Sequence, residues 1–125
     1  MYLLDTNALL YYLYDDNRLT GKAKEIIYGD STLTISIASL WEIAIKASLG
    51  KLSIKSSIGK IAETCRNEEI DILPIKISYL DKVHTMPWVH KDPFDRIIVA
   101  TADVEKMSII SSDQTISGYG VNVIW

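Results

Sequence analysis

Tyr2-Leu3-Leu4-Asp5-Thr6-Asn7 opens the chain with a short apolar run that stops abruptly at an aspartate. A run of this length reads as a buried strand, and the acid marks its carboxyl end. Ser108-Ile109-Ile110-Ser111-Ser112-Asp113, far along the chain, repeats the arrangement: an apolar strand, then an acid two residues beyond. An aspartate that follows an apolar strand and precedes more apolar chain has no evident solvated role, so Asp5 is the first candidate functional residue.

Between and beyond these two stretches, strands and helices alternate. Asn7 to Leu13 reads as helical, and Thr20 is placed to cap a helix with inner face Ala23, Ile26 and Ile27, stopped by Gly29. Thr32 to Ile37 alternates β-branched and small residues, a second strand. Ser39 then opens a helix to about Leu49, closed by Gly50, and Ser57 begins another that buries Ile58, Ile61, Ala62 and Cys65. Ile70 to Ile75 is a third strand, and Ser78 starts a short helix towards His84. Asp92-Pro93 announces the longest helix, to about Lys106, because proline suits a first turn. Val121 to Trp125 is the last strand. This order predicts an α/β fold, a central parallel sheet with helices on both faces, forming one domain over residues 1–125. In such sheets chemistry sits beyond the carboxyl ends of the strands.

Composition agrees with an ordinary globular domain. Hydrophobic residues make up 48% and charged residues 23%, and a chain of 125 residues buries roughly two-thirds of its unfolded surface without staples. With 13 Lys+Arg against 16 Asp+Glu, the net charge of −3 excludes a polycation that coats nucleic acid nonspecifically. A single cysteine, Cys65, excludes an internal disulfide framework and a multi-cysteine zinc module; a reducing cytoplasm is the compartment expected. The apolar start lacks the basic flank of a signal peptide, and no apolar stretch approaches the ~18 residues of a membrane span.

The acids carry the chemistry. Asp5 and Asp113 follow strands; Glu42 and the pair Asp92 and Asp95 stand near helix starts, which in βα units lie at the same sheet edge. Close carboxylates repel unless a cation joins them. Oxygen donors without thiolate suit Mg²⁺ or Mn²⁺, ions that serve phosphodiester hydrolysis by activating water and stabilising the leaving oxygen. Each acid also has a plainer reading. Ser39 with Glu42 matches a capping box, Asp92 with Asp95 nearly so, and Glu42 is spaced to pair with Lys46.

Order and context favour the functional reading. Leu3-Leu4-Asp5-Thr6-Asn7, Ser39-Leu40-Trp41-Glu42-Ile43-Ala44-Ile45-Lys46, His90-Lys91-Asp92-Pro93-Phe94-Asp95-Arg96 and Ser111-Ser112-Asp113 together resemble the PIN-domain family, and within it the bacterial toxins of the VapC type. The resemblance implies a PIN-like fold and an endoribonuclease dependent on Mg²⁺ or Mn²⁺, cleaving RNA with metal-activated water. It also implies a homodimer neutralised by a cognate antitoxin. Asp5, Glu42, Asp95 and Asp113 take the acidic metal-site positions, Asp92 is an additional acid or the helix cap, and Asn7 and Ser111 are polar positions that orient the site. Ser111 stands where threonine is common, which preserves the hydroxyl.

Other residues carry weaker signals. Ile43 to Ala62 contains lysines and no acid, so Lys46 and Lys51 are candidate RNA contacts; Arg96 is either a phosphate contact or a salt-bridge partner of a neighbouring acid. His84 and His90 are spaced as no close metal pair and receive no catalytic role; Cys65 belongs to a core stripe. Tyr11, Tyr12 and Tyr14 suit a core or an interface better than base stacking. The helices around Trp41, Ile45 and Leu49 and around Ile97 to Ala102 are apolar on more than one face, which favours a dimer. Two other functions compete. A haloacid-dehalogenase-like phosphatase would use Asp5 as nucleophile but needs an acid where Asn7 stands, and a noncatalytic interaction domain has little reason to keep four acids.

Overall fold

Leu3 and Leu4 lie fully buried at the middle of a five-stranded sheet, in a computed structural model that describes residues 1–125. Strand β1 (Tyr2–Leu4) leads into helices α1 (Thr6–Leu13) and α2 (Gly21–Ile27), followed by β2 (Leu33–Ser36), α3 (Ile37–Ser48), α4 (Ile58–Asn67) and β3 (Ile70–Leu73). Then come α5 (Ile77–Thr85), α6 (Pro93–Glu105), β4 (Ser108–Ile110), a 3₁₀ turn over Gln114–Tyr119 and β5 (Val123–Ile124). The sheet order is β3-β2-β1-β4-β5 and every neighbouring pair is parallel, so the expected α/β architecture is the one observed.

Alternation along the strands sends side chains to two cores. Leu4, Ile35 and Ile110, which share one register row, pack with Leu9, Ala23, Ile61 and Cys65 from α1, α2 and α4. Leu3 and Ile109 point to the other face, onto Tyr79 of α5 and Ile98 of α6. Each such fully buried aliphatic side chain contributes about 1.5–3 kcal/mol, and together they fix the relative heights of β1 and β4. The chain moves outward from β1 to β2 and β3, then crosses back to place β4 on the other side of β1. The β1–β4 boundary is therefore the point where strand order reverses, the place where parallel sheets of this kind bind ligands beyond their carboxyl ends.

Several boundaries depart from the sequence reading, each for a local reason. Strand β2 runs into α3 without a loop, so the cap is Ser36, whose side chain accepts the Ala38 N–H, and Ser39 lies inside the helix. Glu42 accordingly falls in the second turn of α3 and is no partner in a capping box. Helix α5 starts at Ile77 after Lys76, with no side-chain cap, so Ser78 is not its opening residue. Thr20 precedes α2 in extended conformation without a capping bond, whereas Ser57 caps α4 through the Lys60 N–H. Gly50 takes φ +73° directly after α3, a left-handed turn that glycine adopts freely. The apolar stretch Ile97 to Ala102 is buried within its own chain, packed against α5, α3 and β4. No helix is long and apolar enough to cross a membrane.

Candidate active site at the carboxyl edge

Asp5 leaves β1 and immediately caps α1: Oδ1 accepts the Ala8 N–H at 2.8 Å. Its other oxygen accepts a short hydrogen bond from the Ser111 hydroxyl. Ser111 is fully buried after β4, and its Oγ also accepts the Asp113 N–H at 3.0 Å. One hydroxyl thus ties together the two strand ends and two of the predicted acids. The backbone adds a direct link, because the Asp5 N–H donates to the Ile110 carbonyl at 3.1 Å.

Glu42 approaches from α3 and is only 5% exposed. Thr6 donates its hydroxyl to Glu42 Oε1 at 2.6 Å, and Thr6 Oγ1 lies 3.0 Å from Ser39 Oγ. Lys46 reaches back one turn to Glu42 Oε2 at 2.6 Å, which raises the lysine pKa further above its ordinary value. Asp92 caps α6 by accepting the Phe94 and Asp95 N–H groups, leaving Asp95 in the first helical turn. Asp113 caps the 3₁₀ turn and accepts both the N–H and the hydroxyl of Thr115.

The electrostatics of this cluster are uneven. Burial raises the Asp5 carboxyl to about 6 against the pull of Ser111 and Ala8, with Glu42 and Asp113 pushing the same way as burial. Asp95 is raised to about 7, first by burial and then by Asp92, with Glu42 and Asp5 adding to it and His90 opposing. Asp113 instead falls below its ordinary value, chiefly because Thr115 donates to it. Two carboxylates raised by burial beside two further acids, with Lys46 as the adjacent cation, make a cluster whose charge balance favours bound positive charge. The donor set, mainly carboxylate oxygen, fits a hard divalent ion.

His90, which spacing along the chain leaves outside the acidic site, sits within it. Its Nε2 lies 3.1 Å from Asp113 Oδ2 and 3.4 Å from Asp95 Oδ2, so these three side chains converge within 4.8 Å. His84 is exposed on α5. Arg96 also departs from expectation. It is only 2% exposed and makes no salt bridge. Its guanidinium donates to the Val83 and Pro87 carbonyls at 3.0 and 2.9 Å, donates to Tyr119 Oη at 3.1 Å and stacks on Trp88. Carbonyls of the last turn of α5 and of the loop after it have thus taken the donors that the sequence leaves free. Asn7 is exposed and has no hydrogen bond to the acids; the orienting hydroxyl from α1 is Thr6. Lys51 is exposed beyond α3, and Cys65 is buried in the core. Tyr11 packs edge-on against Trp125, and Tyr12 packs against Tyr28, consistent with a packing role.

The acids come from four separate segments at the edge where the order of the parallel sheet reverses, with Asp95 and Asp113 meeting at His90, and a model of the PIN domain matches residues 2–121. The chain belongs to the PIN-domain family, a family of nucleases. Comparison with curated proteins finds no match. Among solved structures, VapBC2 from Rickettsia felis bound to a promoter DNA fragment is similar with TM-score 0.71 and 14% identity, over 98% of this chain and 96% of that one. A toxin-antitoxin complex from Klebsiella pneumoniae gives TM-score 0.68 and 18% identity over 100% and 97%. VapBC-1 from nontypeable Haemophilus influenzae gives 0.67 and 18% over 98% and 96%. At these identities the likeness is one of fold.

Proposed function

We propose that this PIN domain is a divalent-metal-dependent endoribonuclease, the toxin of a type II toxin–antitoxin pair. The observation that carries the reading is the convergence of Asp5, Glu42, Asp95 and Asp113 from separate segments, linked by Ser111, Thr6 and His90. Asp5, Asp95 and Asp113 are the residues that would hold Mg²⁺ or Mn²⁺, with Glu42 completing the set. Held there, the ion supplies Lewis-acid activation of a water and charge neutralisation at the departing 3′ oxygen. Asp5 keeps one orientation because both of its oxygens are engaged, and Thr6 with Lys46 fixes Glu42. That engagement also argues against Asp5 as a free nucleophile of the dehalogenase kind. Lys46 and Lys51 are the candidate contacts for RNA phosphates. Products with a 5′-phosphate and a 3′-hydroxyl follow from attack by water.

The similar structure from Klebsiella pneumoniae is a toxin-antitoxin complex, which supports a cognate antitoxin as the partner. A homodimer belongs to the same reading. Its support is an apolar groove of ≈ 290 Å³ beside the acids, rimmed by Trp41, Leu80 and Trp88, which are 59%, 52% and 76% exposed. The test is controlled induction in a bacterial host. The wild-type chain should arrest growth with fragmentation of cellular RNA, and Asp5→Asn should do neither. Equal arrest by both proteins at equal abundance would refute the reading.

A further inference from the structure

His90 stands on a loop whose backbone is held on both sides. Tyr119 Oη accepts the His90 N–H at 2.7 Å and donates to the His90 carbonyl at 3.1 Å. The same phenol oxygen accepts a hydrogen bond from the buried Arg96, which also donates to the Val83 carbonyl in the last turn of α5 and to the Pro87 carbonyl in the loop. This clamp leaves the imidazole little freedom in where it points.

The ring's hydrogen bonds then specify its tautomer. Nδ1 lies 3.1 Å from the Asp92 backbone nitrogen and accepts that N–H. A ring nitrogen that accepts a hydrogen bond carries no proton, so the imidazole proton is on Nε2. Nε2 is the atom that faces Asp113 and Asp95. A histidine that ligates a metal through Nε2 has the opposite arrangement, with Nδ1–H donated to an acceptor and the Nε2 lone pair free for the ion. The peptide N–H of Asp92 occupies the place where such an acceptor would stand.

We infer that His90 is a positioning residue: its Nε2–H donates to the Asp113 carboxylate and lies beside that of Asp95, which holds the two at the spacing in which they meet a divalent ion, without ligating that ion itself. The inference rests on the metal-site reading given above. It assigns the loop before α6, together with Tyr119 and Arg96, the task of aligning two acids that come from the first turn of α6 and from the segment after β4. Without the bridging N–H, the two carboxylates repel each other and reach the ion only after reorganising.

Three measurements on the full chain test this. Long-range ¹H–¹⁵N correlation spectra of the metal-free protein, with His90→Gln to assign the ring, should show a protonated Nε2 and a bare Nδ1; a proton on Nδ1 would overturn the inference. Calorimetric titration with Mn²⁺ should give about tenfold to hundredfold weaker binding for His90→Ala, the usual effect of losing a group that orients a ligand. His90→Gln, which retains an N–H donor on a shorter arm, should recover part of that loss. An unchanged affinity in His90→Ala would overturn the proposal. Pulsed electron paramagnetic resonance of the Mn²⁺-loaded wild type should show no directly bound nitrogen, and finding one would make His90 a ligand instead. If the wild type binds no Mn²⁺, the metal reading itself fails; the ring spectra, recorded without metal, keep that failure distinct from an error about His90.

Discussion

In the absence of metal, the stability that Asp5 contributes should fall as pH rises, and Asp5→Asn should abolish that part of the dependence. Asp5 titrates near 3.8 when unfolded and at about 6 in the folded chain, so between these values the folded state holds the proton more tightly. A raised carboxyl of this kind stabilises fully below the unfolded value and loses that contribution as pH climbs through the folded one. At pH 5 the folded Asp5 is still mostly protonated while the unfolded one is ionised, a difference of roughly 1–2 kcal/mol that vanishes by pH 7.5. Asp95, raised to about 7 in part by Asp5, adds in the same direction. The assay is urea unfolding in EDTA at pH 5 and pH 7.5. The wild type minus Asp5→Asn difference should shrink by that amount, because the other titrating groups largely cancel between the two proteins. Adding millimolar Mg²⁺ at pH 7.5 should then stabilise the wild type and leave the variant almost unmoved. A difference that is flat or grows with pH would refute the reasoning.

Arg96→Ala should cost about 2–3 kcal/mol in urea unfolding, since the Val83 and Pro87 carbonyls lose charged donors; Arg96→Lys should recover little, because one ammonium cannot span both carbonyls and the Tyr119 hydroxyl. Asp92→Ala should lower stability by about 1 kcal/mol as a lost helix cap while Mn²⁺ affinity, read by calorimetry, changes severalfold at most. A loss of a hundredfold or more would make Asp92 a ligand. Trp88→Glu should shift the chain towards monomer in light scattering, and a wild type that is monomeric at high micromolar concentration would remove the dimer from the account.

The acids were readable because each is placed by its immediate neighbours. Asp5 and Asp113 follow apolar strands, Asp95 sits behind an Asp-Pro helix start, and topology carries such positions to one edge. Glu42 reached the same edge for a partly different reason. The helix it rides begins at Ile37, and Thr6, not a capping serine, holds its carboxylate. What stayed illegible depends on contacts between distant segments. The meeting of His90 with Asp113 relies on a tyrosine 29 residues further on and on a buried arginine. Nothing within the motif containing Arg96 tells that carbonyls at the end of α5 and in the following loop will take its donors, so a charge at a helix start reads as surface. The apolar faces of α6 show the same limit: periodicity reveals that Ile97 to Ala102 must be buried, yet whether α5 or a second copy covers them is decided by the chain's path between the two helices.

The central claim is that these acids hold a divalent ion to cleave RNA, and cleavage of an end-labelled RNA by the purified chain tests it most directly. With Mg²⁺ or Mn²⁺ the account predicts fragments ending in a 5′-phosphate and a 3′-hydroxyl, no cleavage in EDTA, and at least a hundredfold slower reaction for Asp5→Asn, equivalent to about 2.7 kcal/mol of lost transition-state stabilisation. Undiminished cleavage in EDTA, or a 2′,3′-cyclic phosphate at the new end, would contradict it.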